Sequence, residues 1–325
     1  MKPLVSIIVE AYNEEHNALA FHSDTVDALF EQGFPLDRVE LFFFGSTGQI
    51  DHIEATHPEW RAFYRVSLVT ADRDHTHYWQ LKNKAATLTA GEIVAFADSD
   101  VRPGPRWLST IVSGIRNGAD VVVGPSQYRT QRLGPDSPWM LAAALPTWGF
   151  VLAGSGRREP PQANSLLSHN VALRRDTLLE HPFRPAHRSF NSSLLYFELV
   201  RAGAKVVYQP AQQVAHGMTL RWWLRLHFRR GWETYIGRDS DPSWPRLPIP
   251  SKLKAIEPVA LRMGLVFRDS RHWFRYRRVV GVSRMRAIRL FPLVLLTSFA
   301  ARSLEMAGMY AALIRPRWAE HLARF

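Results

Sequence analysis

A chain of 325 residues can bury a large core, and a hydrophobic share of 46% with 11 Trp, 18 Phe and 9 Tyr excludes a disordered or linker-like protein. The absence of Cys excludes disulfides and thiolate metal sites. A formal net charge of +12 points to an anionic partner, whether nucleic acid, a phosphorylated ligand or a charged membrane surface.

In chain order, "LVSIIVEA" (4–11) reads as a first strand rather than as a secretion signal, and "NALAFHSDTVDALFEQG" (17–33) as an amphipathic helix stopped by Gly33. "RVELFFFG" (38–45), "RVSLVTA" (65–71), "EIVAFAD" (92–98) and "ADVVVGP" (119–125) supply further strands, with a helix over "KNKAATLTAG" (82–91). This alternation predicts an α/β sheet, mostly parallel and buried on both faces, whose ligands sit at the carboxyl ends of the strands. Asp98 and Asp100 fall at such an end, directly after "VAF", and Tyr12 and Asn13 fall at another.

Two aspartates one residue apart at a strand tip repel each other unless something positive lies between them. A polar turn before Pro103 and Pro105 is the ordinary reading of "DSD". At the end of a buried strand the pair suits a divalent ion held through oxygen, and Mg2+ with few protein carboxylates implies a diphosphate ligand.

Four segments in this order, "VSIIVEAYNEEHN", "GEIVAFADSD", "SHNVALRRDTL" and "RAGAKVVYQPAQQVAH", make residues 3–235 resemble the inverting family-2 glycosyltransferases. The resemblance implies a GT-A fold, a Rossmann-like mixed sheet flanked by helices. The boundaries expected are a catalytic domain over 1–220, with a nucleotide-sugar half over 1–105 and an acceptor half over 106–220, and a helical, basic extension over 221–325. It also implies transfer of a sugar from a UDP- or GDP-sugar with Mg2+ or Mn2+. By position, Ala11, Tyr12, Asn13 and Glu14 would take the donor nucleotide, Asp98 and Ser99 would contact the donor, and Asp98 and Asp100 would hold the metal with His216 as a further ligand. Lys82 would add charge near the donor, although Lys82 and Lys84 also read as a solvated helix face.

Inversion needs a general base. The Glu-Asp pair usual before the "RAG" turn is replaced here by Asn191-Ser192, and Asn191 reads as a helix N-cap. Glu198, His187 and Asp176 are the alternatives for the base. Phe43 and Phe44 stand where relatives carry acidic residues for the nucleotide base, and Glu10 replaces a customary proline.

From residue 218, "MTLRWWLRLHFRRGWETY" mixes Arg221, Arg225, Arg229 and Arg230 with Trp222, Trp223 and Trp232, suited to a bilayer headgroup level, to a lipid-linked acceptor, or to a helix packed on the catalytic domain. "DSDPSWPRLPIPSK" (239–252) reads as a connector whose own "DSD" lacks a preceding strand. The apolar run Leu290–Ala301 falls short of the ~20 residues of a bilayer span, and Arg302 and Glu305 are spaced to pair on one helix face. An interfacial or re-entrant hairpin is expected, with the arginines favouring the anionic cytoplasmic leaflet; a helical pair covering the sheet or forming a homo-oligomer is the soluble alternative. Together these readings predict a peripheral or monotopic glycosyltransferase on the cytoplasmic face, acting on a lipid-linked or glycan acceptor. The alternatives are a non-catalytic binding or scaffold protein and a nucleic-acid-binding protein, the last disfavoured because no recognised nucleic-acid motif accompanies the charge.

Overall fold

The computed structural model describes residues 2–11, 19–71, 77–148, 163–184, 190–240 and 255–315. The chain runs β1 (Val5–Glu10), α1 (Leu19–Phe30), β2 (Val39–Gly45), α2 (Thr47–Thr56), β3 (Arg65–Thr70) and α3 (Tyr78–Leu88). It continues through β4 (Ile93–Asp98), β5 (Val101–Pro103), α4 (Trp107–Arg116), β6 (Val121–Val123), β7 (Ser126–Arg129) and α5 (Pro138–Trp148). Beyond these come β8 (Val171–Arg174), α6 (Arg175–Glu180), α7 (Asn191–Arg201), β9 (Val206–Tyr208), β10 (Val214–Gly217), α8 (Leu220–Ser240), α9 (Glu257–Tyr276) and α10 (Arg284–Ile314).

Two compact units result: Met1–Gln127 with Val151–Pro185 and Phe190–Gly217, and Tyr128–Phe150 with Ala186–Ser189 and Met218–Phe325. The change of unit near residue 217 lies close to the expected boundary at 220. Tyr128–Phe150, read from sequence as part of the catalytic half, joins the helical unit because α5 supplies apolar contacts to its helices.

In the first unit a seven-stranded sheet has the order β3-β2-β1-β4-β8-β6-β9. The four strands β3, β2, β1 and β4 are parallel, whereas β8 runs antiparallel to both β4 and β6, so the sheet is mixed. Every residue of β1, β2 and β4 is buried, as expected of strands covered on both faces. Ile7, Val9, Leu41, Phe43, Ala95, Trp107 and Ile111 belong to its core, each large side chain contributing roughly 1.5–3 kcal/mol by burial. The polar residues in these strands find partners. The Ser6 hydroxyl donates to Glu40 at 2.6 Å, Ala90 N–H donates to the same carboxylate at 2.9 Å, and Arg65 pairs with Glu40 as well. A second sheet, of order β5-β10-β7, begins immediately after Asp100 and brings His216 opposite Val101.

Helix ends follow local chemistry. Ser46 and Gln49 form a reciprocal capping box on α2, and Gly203, at φ +84°, supplies the left-handed turn after α7 that "RAG" signals. α1 stops at Phe30, three residues ahead of Gly33, the expected stop. Asn191 does not cap α7. It is the first helical residue, and its Oδ1 accepts the Arg184 N–H at 2.8 Å, so the preceding loop takes the oxygen that a cap would use.

In the helical unit, α8 and α10 approach closely at glycines. A Cβ on Gly308 would lie 2.0 Å from the Phe228 carbonyl oxygen, and one on Gly231 would lie 1.8 Å from that of Glu305. Trp222, Trp223 and Trp232 are buried inside this unit. Trp222 and Trp223 pack with Tyr128, Met140, Ala143 and Ala301, so these indoles serve packing and not a bilayer headgroup level. The expected hairpin is also absent, because α10 is one continuous helix of 31 residues. Arg302 and Glu305 pair within it at 2.7 Å, as their spacing predicts, and extend into a buried network with Asp269, Arg262 and His227, so these charges do not interrupt the helix. By length and composition alone α10 is long and apolar enough to cross a membrane.

Candidate active site

The carboxyl ends of β1 and β4 lie side by side, with Glu10 opposite Asp98 in register. Both acids are buried. The positive group that like charges require is Lys82 of α3, whose Nζ donates to Asp98 Oδ1 at 2.6 Å and to the Ser168 carbonyl at 3.0 Å, and lies 3.5 Å from Glu10. The Lys82 side chain has no exposed surface, so the solvated-face reading fails for it, whereas Lys84 is exposed. Burial acts to lower the Lys82 pKa, but Asp98 and Glu10 outweigh it and hold the ammonium above its ordinary value. For Asp98 burial pushes upward, and Lys82 with His169 and His216 prevails, keeping its carboxyl below the usual range.

β8 and β10 bring two imidazoles to the same place. β8 pairs antiparallel with β4, matching Phe96 with Val171, and His169 stands in the turn that leads into β8. His216 arrives on β10. Its ring centroid lies 4.9 Å from that of His169 in an edge-on arrangement. Ligand atoms of Asp98, His169 and His216 lie within 4.8 Å of one another, and all three residues are buried. One carboxylate and two imidazoles form a donor set that fits a divalent ion. Asp100 stands behind the set, its Oδ2 3.5 Å from His216 Nδ1, and the DSD turn is braced by bonds from Ser99 N–H to the Glu10 carbonyl and from the Thr25 hydroxyl to the Ser99 carbonyl.

The structure therefore gathers Lys82, Asp98, Ser99, Asp100 and His216 of the expected residues, and adds His169, which lies in the segment "SHNVALRRDTL" and is not among them. Ala11 lies buried just past β1, its N–H donating to the Phe44 carbonyl at 2.8 Å. Phe43 and Phe44 are buried on β2. Tyr12, Asn13, Glu14 and His187 lie outside the described residues. Glu198 of α7 pairs with Arg184 at 3.1 Å, while Arg201, the partner its helical spacing suggests, donates instead to the Phe197 carbonyl. Asp176 is the second residue of α6.

The family model described as glycosyl transferase family 2 matches residues 6–181, more than half of the chain. Over 127 residues the chain is 27% identical to Glycosyltransferase AglE of Haloferax volcanii, a match spanning 39% of this chain and 40% of that protein. Among solved structures, the mannosyltransferase PcManGT from Pyrobaculum calidifontis, in complex with GDP-Man and Mn2+, shares the fold with a TM-score of 0.61 at 16% identity, over 97% of this chain and 88% of that one. GalNAc-T7 with UDP, GalNAc and Mn2+ aligns with a TM-score of 0.53 at 15% identity, over 78% of this chain and 53% of that one.

Proposed function

Because the chain belongs to glycosyl transferase family 2, we propose that it moves a sugar from a nucleotide-diphosphate donor, a UDP- or GDP-sugar, to an acceptor with the aid of a divalent ion. The observation that carries this reading is the convergence of Asp98, His169 and His216 at the carboxyl end of β4. A bound divalent ion there would offset the charge that develops on the leaving diphosphate. Lys82 holds Asp98 as a carboxylate, and the braced DSD turn fixes its place. Ala11 and, by their place in the sequence after β1, Tyr12, Asn13 and Glu14 are our candidates for contact with the donor nucleotide. The test is nucleotide release from a panel of UDP- and GDP-sugars, with and without Mn2+; metal-dependent release supports the reading, and its absence with every donor opposes it.

For the base, Glu198 is our first candidate and His187 the second. Glu198 would have to exchange its Arg184 contact for the acceptor hydroxyl. A second reading, a non-catalytic binding protein, draws on Asn191, which stands in place of the usual acid and is committed to the backbone at Arg184. Donor binding without turnover by the intact chain would select it.

We also propose that the helical unit rests on an anionic membrane surface, on the cytoplasmic face, where a lipid-linked acceptor would be presented. Phe267 is 77% exposed, Met285 60%, Leu296 59% and Phe299 54%. Phe267 and Phe274 lie two turns apart on α9; Ile288, Leu295 and Phe299 follow the same helical spacing on α10. The Phe274 and Phe291 rings meet at 5.0 Å and join the two helices. Exposed Arg271, Arg278, Arg284 and Arg289 on the same segments add attraction of about 1 kcal/mol each near anionic lipid.

A further inference from the structure

We propose that Trp139, with Leu133 on the turn before it, seats the helical unit in a bilayer, the indole lying at the headgroup level of an anionic membrane among the arginines where α9 gives way to α10. The inference rests on the reading that this unit meets an anionic membrane surface, and it names which end of the unit enters and through which side chains.

α5 runs inside the unit, with Met140 through Thr147 all buried. Its first turn emerges, with Pro138 exposed and Trp139 54% exposed. The segment leading to it is fixed by its own turns. Thr130 N–H donates to the Leu133 carbonyl at 2.9 Å, while the Thr130 hydroxyl accepts the N–H groups of Arg132 at 3.2 Å and Leu133 at 2.9 Å. Ser137 N–H donates to the Gly134 carbonyl at 3.0 Å. Leu133 is thereby held exposed at the surface. A leucine that its own turn keeps in water forgoes hydrophobic stabilisation, which entry into lipid would restore.

Hydrogen bonds from α10 fix where this turn lies. The Arg286 guanidinium donates to the Asp136 carbonyl, the Thr297 hydroxyl to that of Ala142 at 2.9 Å, and Arg302 to that of Pro146 at 2.7 Å. Residue numbers rise together on both sides, so α5 runs in the direction of α10 and its first turn sits at the start of that helix. The Trp273 indole donates to the Ala287 carbonyl at 2.9 Å and brings the end of α9 to the same place. Met285 and Ile288 are exposed there, as are Arg278, Arg284, Arg286 and Arg289. From Ser270 to Leu304 the sequence has no Asp or Glu, and Asp136 is the one acid between Tyr128 and Trp148. Arginines in such excess suit an anionic partner, and the exposed aliphatic side chains among them suit a lipid one, since nucleic acid offers Leu133, Met285 and Ile288 nothing to enter. An indole is amphipathic and settles at the headgroup level. Trp222, Trp223 and Trp232 cannot serve there because they are buried.

The test is tryptophan emission from the full chain on vesicles of phosphatidylcholine and phosphatidylglycerol whose acyl chains are brominated near the headgroup. The chain holds 11 Trp, so the contribution of Trp139 is the difference between the wild type and Trp139→Phe. Expected are a blue shift and bromolipid quenching on binding, most of both carried by that difference, and protection of Trp139 from aqueous iodide. Trp139→Ser combined with Leu133→Ser should weaken vesicle binding by about tenfold, and Trp139→Phe by less than about threefold. Circular dichroism checks the fold of each variant, and should the double variant not fold, the Trp139→Phe comparison decides. Equal quenching of vesicle-bound wild type and Trp139→Phe, or a folded double variant that binds as the wild type does, would overturn the inference and leave the membrane contact to Phe267 and Phe299. Trp139 already shielded from iodide without lipid, in a chain of dimeric mass, would overturn it in favour of a second copy. Failure of the wild type to bind these vesicles sinks the underlying reading as well.

Discussion

Lys82 has no exposed side-chain surface, so its charge must be balanced inside the protein, and Asp98, Glu10 and the Ser168 carbonyl do so. Replacing Lys82 by Met would leave two carboxylates buried at neighbouring strand ends, a loss of ~3–5 kcal/mol expected for breaking a buried pair. Chemical denaturation should show the first unit destabilised by that order, and a Lys82→Met variant as stable as the wild type would contradict the arrangement. Glu198 poses the opposite problem, because a residue satisfied by Arg184 need not act on substrate. If it is the base, Glu198→Gln should lower turnover roughly 10²-fold or more while donor affinity is nearly kept. Turnover reduced by less than twofold would transfer the role to His187.

At the scale of elements, the helical unit shows why a long helix can carry charge through its middle. The Arg302 guanidinium touches Asp269 and Glu305, Glu305 also meets Arg262 and His227, and the Ser298 hydroxyl donates to Asp269. Burial lowers the His227 pKa to about 4, against the opposing pull of Glu305, so this ring is neutral at pH 7. A histidine depressed on folding binds fewer protons in the folded state than in the unfolded one between its two pKa values. Stability should therefore be full above pH 6.5 and fall as pH drops toward about 4. Glu305, which burial alone would raise but which Arg302 and Arg262 hold well below its ordinary value, adds a further loss under more acid conditions. Melting followed through helical signal across this range should show the decline, and His227→Gln should flatten its upper part. Where α8 and α10 cross, Gly308→Ala would drive a Cβ into the Phe228 carbonyl, and a loss of about 1–3 kcal/mol is expected from the forced separation.

Legibility from sequence followed the range over which each signal acts. The buried strands β1, β2 and β4 were readable because unbroken apolar runs declare themselves locally, and the DSD turn was readable because it ends such a run. α10 was misread as a hairpin because Arg302 and Glu305 look like an interruption until Asp269, Arg262 and His227, distant in sequence, are seen around them. Trp222 and Trp223 looked like headgroup-level residues beside arginines, and only the packing of Tyr128, Met140 and Ala301 shows that their faces are taken. The nearness of His169 to Asp98 is not legible in the sequence, because it depends on the antiparallel pairing of β8 with β4, which no local pattern reveals.

For the molecule as a whole, the proposed function assigns two surfaces: the carboxyl edge of the parallel strands would take donor and ion, and the exposed faces of α9 and α10 would meet the membrane. Phe267→Ser combined with Phe299→Ser should weaken binding of the full chain to anionic vesicles by about tenfold or more, and rising salt should weaken the wild type through its arginines. Vesicle binding indifferent to both would remove the membrane from the account. The central claim, that a nucleotide sugar is held through a divalent ion at Asp98, is met most directly by calorimetric titration of the intact chain with UDP- and GDP-sugars in Mn2+ and in chelator, repeated on Asp98→Asn. The account predicts that one donor binds in Mn2+, and that chelation and the substitution each weaken it by about tenfold or more, the fold intact by circular dichroism. Equal donor affinity in Mn2+, in chelator and in Asp98→Asn would contradict it.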